Sequence, residues 1–386
     1  MLIPSLLDTD LYKFTMLQVV FKKFPRAMVT YKFYCRSPAT DFSPIKKGFS
    51  QAIEQFSQLR FNNTEIDYLR GLGYFDEDFL IWLKGFKPDP SAITYRFHQK
   101  RLELSVKGLW SDTILFEIPL LAMISELLGE QNKEENSRLL RQRLDAKIIE
   151  FNQWSDQFPF SDFGTRRRSS HNWHRTVLTD LKNKLGTHLA GTSNVYFAKE
   201  LGLSPVGTMA HEYLQACQAL SGNFIGSQAY ALKIWLDIYG SELSIALTDV
   251  IGLNVFLKEF SPELAKAYQG VRHDSGDPFD FGEAMIRFYE LNQIDPAQKV
   301  LTYSDGLDFE ISRKLWEHFH QRISVRFGIG SFLTNDTGVK PANIVIKMTH
   351  CNDLPVAKIS DAPGKAICED PEFLNAVRQY KSSENP

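Results

Sequence analysis

In the second half of the chain, side chains able to do chemistry recur wherever a predicted strand ends. They stand in Phe163-Gly164-Thr165-Arg166-Arg167-Arg168, Gly191-Thr192-Ser193, His211, Thr248-Asp249, Arg272-His273-Asp274-Ser275-Gly276-Asp277, Ser304-Asp305-Gly306 and Gly328-Ile329-Gly330-Ser331. Glycine-rich strand ends that lead into helices offer free backbone N–H groups and a positive dipole end, which suit phosphate. Arg166, Arg167, Arg168 and Arg272 add charge-assisted contacts to anionic oxygens, although adjacent arginines cannot all face inward. Asp249, Asp274, Asp277 and Asp305 are hard oxygen donors suited to Mg2+ or to sugar hydroxyls. Guanidinium, carboxylate and glycine at one rim imply a phosphorylated, diphosphate-bearing sugar with magnesium. Any single member has an ordinary explanation, Asp274 or Asp305 as a helix cap and Gly306 as a turn. Their repetition at one strand end after another carries the inference.

His211 lies in Val206-Gly207-Thr208-Met209-Ala210-His211-Glu212, which follows Ser204-Pro205 and precedes a helical pattern. Val206 and Met209 predict a buried strand end, and Gly207 permits a turn or the close approach of a ligand. An imidazole where a strand yields to a helix can be a nucleophile, a general base or a phosphate contact; alone it is equally a hydrogen-bonded structural histidine. Glu212 falls in the first helical turn, where the macrodipole favours an anion. Phe163 and Tyr12 are aromatic candidates for sandwiching a planar ring, Tyr12 also fitting core packing on an amphipathic helix. There is no Walker A loop: Ala362-Pro363-Gly364-Lys365 lacks the earlier glycine and the following Ser or Thr.

The elements that must position these residues follow from hydrophobic period. Asp8 or Thr9 is expected to cap a first helix through about Phe24, and Ala27 to Arg36 alternates as a strand. Helices over 46–60, 64–72 and 76–84 precede two strands within Ile93 to Trp110 and another from Thr113 to Ile118. Strands in runs with helices between predict an N-terminal α+β domain, residues 1–131. A long charged helix, Asn132 to Trp154, opens a second domain, residues 132–339. There Pro159–Arg167, His188–Ser193, the His211 segment, Leu243–Asp249, Tyr268–Asp274, Lys299–Asp305 and Ile323–Gly330 read as strands separated by helices, an irregular (β/α) barrel whose strand ends share one rim. Ile344–Thr349 and Val356–Ser360 flank a hairpin at Cys351-Asn352-Asp353, so residues 340–386 are expected to return to the N-terminal domain. The fold class is α/β.

Composition narrows the partners. With 386 residues the chain can bury a large core, and 44 basic against 46 acidic residues give a formal charge of −2. That balance favours neither nucleic acid nor an anionic membrane as a partner. The four cysteines form no close pair, so a zinc finger or disulfide framework is not expected. Neither a leader pattern at Met1-Leu2-Ile3-Pro4 nor a membrane-spanning window is seen, and a reducing cytoplasm is the expected location.

At this point the residues resemble a known family, the nicotinate phosphoribosyltransferases. The resemblance rests on Asp8-Thr9-Asp10-Leu11-Tyr12-Lys13, Phe163-Gly164-Thr165-Arg166-Arg167, Gly191-Thr192-Ser193-Asn194, Gly207-Thr208-Met209-Ala210-His211-Glu212, Arg272-His273-Asp274-Ser275-Gly276-Asp277-Pro278 and Ser304-Asp305-Gly306, with Pro355-Val356-Ala357-Lys358 and Pro363-Gly364-Lys365 in the tail. It implies the irregular barrel of the type II phosphoribosyltransferases and a homodimer with shared active sites. The implied reaction joins nicotinate to 5-phosphoribosyl 1-diphosphate, giving nicotinate mononucleotide and diphosphate in NAD salvage. ATP serves as co-substrate through a transient phosphohistidine, with Mg2+ bound by ligands not assigned from sequence.

Carried onto matching positions, the resemblance makes His211 the phosphorylated residue, with Asp249 and Asp274 beside it in catalysis. Phe163 and a partner subunit's Tyr12 would clamp the pyridine ring, with Arg166 and Ser193 also in the nicotinate site. Arg166, Arg272, Asp274, Asp305, Gly306, Gly328 and Gly330 would form the phosphoribosyl diphosphate pocket. Glu212 or another acceptor is expected to orient His211. Ser193 can donate to a carboxylate where nicotinamide-using relatives place an acid, which favours nicotinate. The alternatives are a nicotinamide or other pyridine phosphoribosyltransferase of the same fold, and a non-catalytic nucleotide-binding regulator. A phosphosugar lyase would need a lysine or enolising base at a strand end, and these strand ends carry no lysine.

Overall fold

Alternation and continuity of apolar residues separate two sheets. The computed structural model describes residues 1–130, 133–154, 158–362 and 364–383. Asn132, the expected start of the long helix, and Pro363 of the tail motif lie outside the described residues. In β1 (Met28–Cys35), Val29, Tyr31 and Phe33 are buried while their neighbours are not, the period of a sheet with one covered face. β1 pairs with β3 (Arg101–Leu109), which pairs with β2 (Ile93–His98). On its other edge β1 pairs with β10 (Ile344–Cys351), and β10 with the short β11 (Leu354–Pro355), so all of this sheet is antiparallel and the chain's tail completes it. The β10–β11 turn has positive φ at Asn352 and Asp353, as a tight hairpin of this hand requires.

The second sheet is parallel and buried on both faces. Its strands are β4 (Phe160–Asp162), β5 (Leu189–Thr192), β6 (Ile245–Leu247), β7 (Gly270–His273), β8 (Val300–Tyr303) and β9 (Ser324–Ile329), in the order β5-β4-β9-β8-β7-β6. Helices cross over between successive strands, as parallel pairing demands. The sheet curls without closing, because β5 and β6 share no ladder. Residues 204–208 fill that seam: Thr192 N donates to Ser204 O at 3.0 Å, Val206 N to Thr192 O at 2.9 Å, and Thr208 Oγ1 to Ile245 O at 2.9 Å.

Several sequence expectations are corrected here. The Val206–Ala210 segment is an extended connection and not a strand; its Gly207 has φ +146°, and a side chain rather than a backbone ladder reaches β6. Thr113–Ile118 is not a strand, since helices Trp110–Thr113 and Glu117–Gly129 occupy this stretch. The continuous apolar run misleads because this helix is buried almost all round, so no alternation appears. Pro159–Arg167 contributes only three strand residues before a 3-10 turn at Thr165–Arg167. Val356–Ser360 runs along the barrel, Ile359 N donating to Val250 O, rather than forming a strand. Asp10, not Asp8 or Thr9, precedes the helix Leu11–Lys23, and its side chain makes no cap bond.

Asp8 is committed elsewhere. Its two oxygens accept from Arg168 Nη1 and Nη2 at 2.6 and 2.7 Å, and Asn194 Nδ2 adds a third bond at 2.7 Å. Both partners are fully buried. Burial by itself would raise the Asp8 carboxyl, but the Arg168 guanidinium beside it holds it below the usual range. Of the three adjacent arginines, Arg168 therefore turns into the core and frees Arg166 and Arg167 to face a cavity. Among the described residues no helix is long and apolar enough to cross a membrane. Removing one partner of this pair strands a buried charge, so Arg168→Met is expected to cost about 3–5 kcal/mol. Urea unfolding checks this, and adding Asp8→Asn to the same chain should recover part of the loss.

Candidate active site

The carboxyl ends of the parallel strands open into a cavity of about 720 Å3. β4 leads to Phe163, Gly164, Arg166 and Arg167; β5 to Ser193; β7 to Arg272 and Asp274; β8 to Ser304 and Gly306; β9 to Gly330. Opposite them stand Asp10, Tyr12, Arg36, Lys347, Lys358 and Lys365, from the first helix and the antiparallel sheet with its tail. The expected convergence at one rim thus occurs, with a second wall that strand ends alone did not predict. Gly328 lies under the Phe163 ring instead of at the wall. A Cβ at Gly328 would stand 2.4 Å from that ring, so glycine makes room for the aromatic. Asp305 pairs with Lys365 Nζ at 2.7 Å beside the cavity.

Tyr12 enters the cavity of its own chain, where the expectation was a partner subunit's Tyr12. The N-terminal segment docks on the end of β5: Leu11 N donates to Ser193 O at 2.8 Å, and Asp10 forms a bridge with Asn194. The Arg166 guanidinium carbon lies 5.8 Å from the centroid of the Tyr12 ring. Ser193 Oγ donates to Asp10 Oδ1 at 2.7 Å, which places a carboxylate beside the very serine whose hydroxyl was expected to meet a substrate.

Behind the cavity is a recess of about 10 Å3, the room of about one water. Tyr12, Arg166 and Lys347 line both spaces, and His211 lines the recess. His211 Nε2 is 2.8 Å from Asp249 Oδ1 and 3.6 Å from Asp274 Oδ2. Asp249 Oδ2 also accepts from Ser275 Oγ at 2.7 Å and pairs with Lys358 Nζ at 3.1 Å. Burial, which alone would raise the Asp249 carboxyl, is outweighed by His211 and Lys358, so Asp249 stays ionised. An ionised carboxylate only accepts, so Nε2 carries the hydrogen and Nδ1 is left as the lone-pair nitrogen. Burial and the Lys358 ammonium push His211 down to about 4, and the ring is neutral at neutral pH.

Glu212 does not orient His211. Neighbours in a helix point about 100° apart, and Glu212 turns to the core, accepting from Lys13 and from Trp110 Nε1 at 3.1 Å. Lys13 also pairs with Glu117 at 2.7 Å. Burial works against Glu117, yet Lys13, Arg166 and Lys347 bring it down to about 2. Sequence reasoning missed Lys13 and Glu117, and it assigned no role to Lys347. A lysine between Ile346 and Met348 in an apolar strand was the available signal.

His211, Asp249 and Asp274 bring their ligand atoms within 4.8 Å of one another. The Lys358 ammonium already occupies Asp249, so an all-protein cage for a cation does not fit there. Asp274 faces the cavity, accepts from Ser304 Oγ at 2.8 Å, and suits a Mg2+ that keeps its waters and a bound phosphate. The charges around His211 set a measurable sign. Lys358→Met removes a nearby cation and should raise the pH at which the ring protonates, whereas Asp249→Asn removes an anion and should lower it. Histidine ring-proton NMR titration reads both.

Known proteins match along most of the chain. Residues 158–384 fit the model of the Nicotinate phosphoribosyltransferase (NAPRTase) family, and residues 7–125 fit its N-terminal domain. A nicotinate phosphoribosyltransferase of Xylella fastidiosa is 46% identical over 383 residues, covering 98% of this chain and 97% of that protein. One from Burkholderia mallei is 45% identical over 387 residues, covering 98% and 96%. The crystal structure of nicotinate phosphoribosyltransferase from Vibrio cholerae superposes with a TM-score of 0.93 at 38% identity, covering 99% of this chain and 94% of that one. A putative nicotinate phosphoribosyltransferase from Saccharomyces cerevisiae gives 0.90 at 31% identity, covering 99% and 98%. With both domains matched and such relatives covered almost end to end, the chain belongs to the nicotinate phosphoribosyltransferase family.

Proposed function

We propose that this enzyme joins nicotinate to 5-phosphoribosyl 1-diphosphate, releasing nicotinate mononucleotide and diphosphate for NAD salvage, with ATP hydrolysis coupled through a phosphohistidine at His211. The observation that carries the reading is one cavity lined by Phe163, Tyr12, Arg166, Arg272 and Asp274, with a neutral His211 immediately behind. In the sugar step the pyridine nitrogen forms the bond to ribose C1 while the C1–O bond breaks, its electron pair leaving on diphosphate. Pyridine nitrogen is a nucleophile as it stands, so no strong base is required. Positive charge grows on the sugar and negative charge on the leaving group. In this reading Arg166, Arg167 and Arg272, which line the cavity, stabilise the diphosphate, and Asp274 the cationic ribose.

Asp274 would hold Mg2+, which when bound would supply further neutralisation of phosphate charge. Gly306, with φ +63°, and Gly330 turn backbone toward the phosphates, while Phe163 and Tyr12 would clamp the ring. In the coupled step His211 Nδ1 attacks the γ-phosphorus of ATP, the bond to ADP breaks, and water later takes the phosphoryl group. Asp249 positions the ring by accepting from Nε2.

The assay combines protein, nicotinate, the ribosyl diphosphate, Mg2+ and ATP, and looks for mononucleotide; nicotinamide in place of nicotinate tests the alternative substrate. His211→Ala should abolish ATP coupling and retain some ATP-independent transfer, whereas acid-labile phosphate on that variant at the wild-type level would overturn the assignment. Phe163→Ala removes a stacking face worth about 1–3 kcal/mol. It should weaken nicotinate by about 10- to 100-fold and the ribosyl diphosphate far less; equal losses would count against the clamp.

A further inference from the structure

The side chains that follow β4 are not tethered alike. Arg166 pairs with Asp10 and Glu117, each 3.9 Å away. Arg167 Nη1 donates to Asn343 Oδ1 at 3.4 Å, and its carbonyl accepts from Asn335 Nδ2 at 2.8 Å. Arg168 is gripped by Asp8. Phe163 lines the cavity too, but a phenyl ring has no polar atom by which to be held. Its place depends on the backbone corner at Phe163-Gly164. There Phe163 N donates to Ile329 O at 2.8 Å, and Gly164 N donates to Asp162 Oδ1 at 2.9 Å. The corner is tight, since a Cβ at Gly164 would stand 2.3 Å from the Thr334 side chain and 2.9 Å from Asp162 Oδ1.

Asp162 is the last residue of β4, and it and His174 are fully buried without lining the cavity. Its second oxygen, Oδ2, accepts from Thr192 Oγ1 of β5 at 2.6 Å and lies 2.7 Å from His174 Nε2, on the helix His171–Leu185. Thr192 Oγ1 itself accepts from Asn194 N at 3.1 Å, which directs its hydrogen to Asp162. His174 Nδ1 is buried with no partner among the described residues. A lone pair is less costly to leave unpaired there than an N–H, so Nε2 carries the hydrogen and donates. One carboxylate thus ties the corner after β4 to the neighbouring strand and to the helix behind, and fixes the direction in which the chain leaves the sheet. We propose that Asp162 and His174 are positioning residues for Phe163, setting the corner that presents its ring to the pyridine. This rests on the reading of Phe163 as a ring clamp given above.

Steady-state kinetics of Asp162→Asn, His174→Phe and His174→Gln, each alone and combined with Phe163→Ala, test the assignment, with circular dichroism and thermal melting following the fold. Asp162→Asn turns an acceptor into a donor within the cluster. It should raise KM for nicotinate about tenfold and leave KM for the ribosyl diphosphate within about twofold, because the arginines keep their own tethers. His174→Phe keeps the edge contact with the Phe197 ring but removes the donor, and should shift nicotinate in the same sense. His174→Gln can still donate and should restore most of the affinity. In the Phe163→Ala chain each of these changes should be nearly silent toward nicotinate, since the ring they position is gone. A lower melting temperature with nicotinate KM unchanged would leave the pair a purely structural role and overturn the proposal. A fully additive loss in the Phe163→Ala chain, or an equal rise in both KM values, would do the same. If Asp162→Asn fails to fold, the two His174 variants carry the same expectations and the same refutations. A wild-type protein that makes no mononucleotide would instead refute the functional reading itself.

Discussion

A buried ammonium between two carboxylates holds the halves of this molecule together. Lys13 comes from the first helix, Glu117 from the helix after the antiparallel strands, and Glu212 from the helix that begins at His211. None of the three could be buried alone without a cost of several kcal/mol. Together, with Trp110 and Tyr31 donating to Glu212, they satisfy one another and fix how three helices meet. Because Glu212 is tied to Lys13 and Trp110, the adjacent His211 is turned about 100° away around the helix, toward Asp249. The position of the His211 imidazole is thus a consequence of where a structural charge had to go.

The two sheets divide the electrostatic labour. The barrel supplies Asp249, Asp274 and Asp305 together with the backbone of its strand ends, while lysines 347, 358 and 365 arrive from β10 and the tail. Cations and carboxylates that face each other across a cavity partly neutralise one another. The same opposition explains why Asp249 can remain ionised at full burial and still leave His211 neutral.

Much of the barrel was legible in the sequence because each stave is an apolar run closed by a polar or glycine-rich end, and each is followed by a helical period. The convergence of Arg166, Arg272 and Asp274 follows from that rhythm alone. What escaped depends on pairs distant in the chain. Ser193 looked free until Asp10 was brought against it, and Glu212 looked like the partner of His211 until Lys13 claimed it. The seam at residues 204–208 has the composition of a strand and bonds to β5 through its backbone, but it reaches β6 only through Thr208 Oγ1, a choice no periodicity records. Thr113–Ile118 read as a strand for the opposite reason: it joins two helices so enclosed that the run shows no alternation with polar residues to mark their ends.

The union of β1 with β10 has a temporal consequence. Residues on these neighbouring strands, such as Thr30 and Thr349, are 319 positions apart. Contacts so remote in sequence form late, because the intervening loop must first be closed. During synthesis the first helix and β1 emerge early but must wait for almost the whole chain before their edge is covered. The carboxylates and arginines of the barrel can assemble with it, while Lys347, Lys358 and Lys365 join only once β10 and the segment after it have been made. Until β10 is made, β1 keeps an exposed edge, and the cavity has the barrel's arginines and carboxylates without the lysines of its second wall.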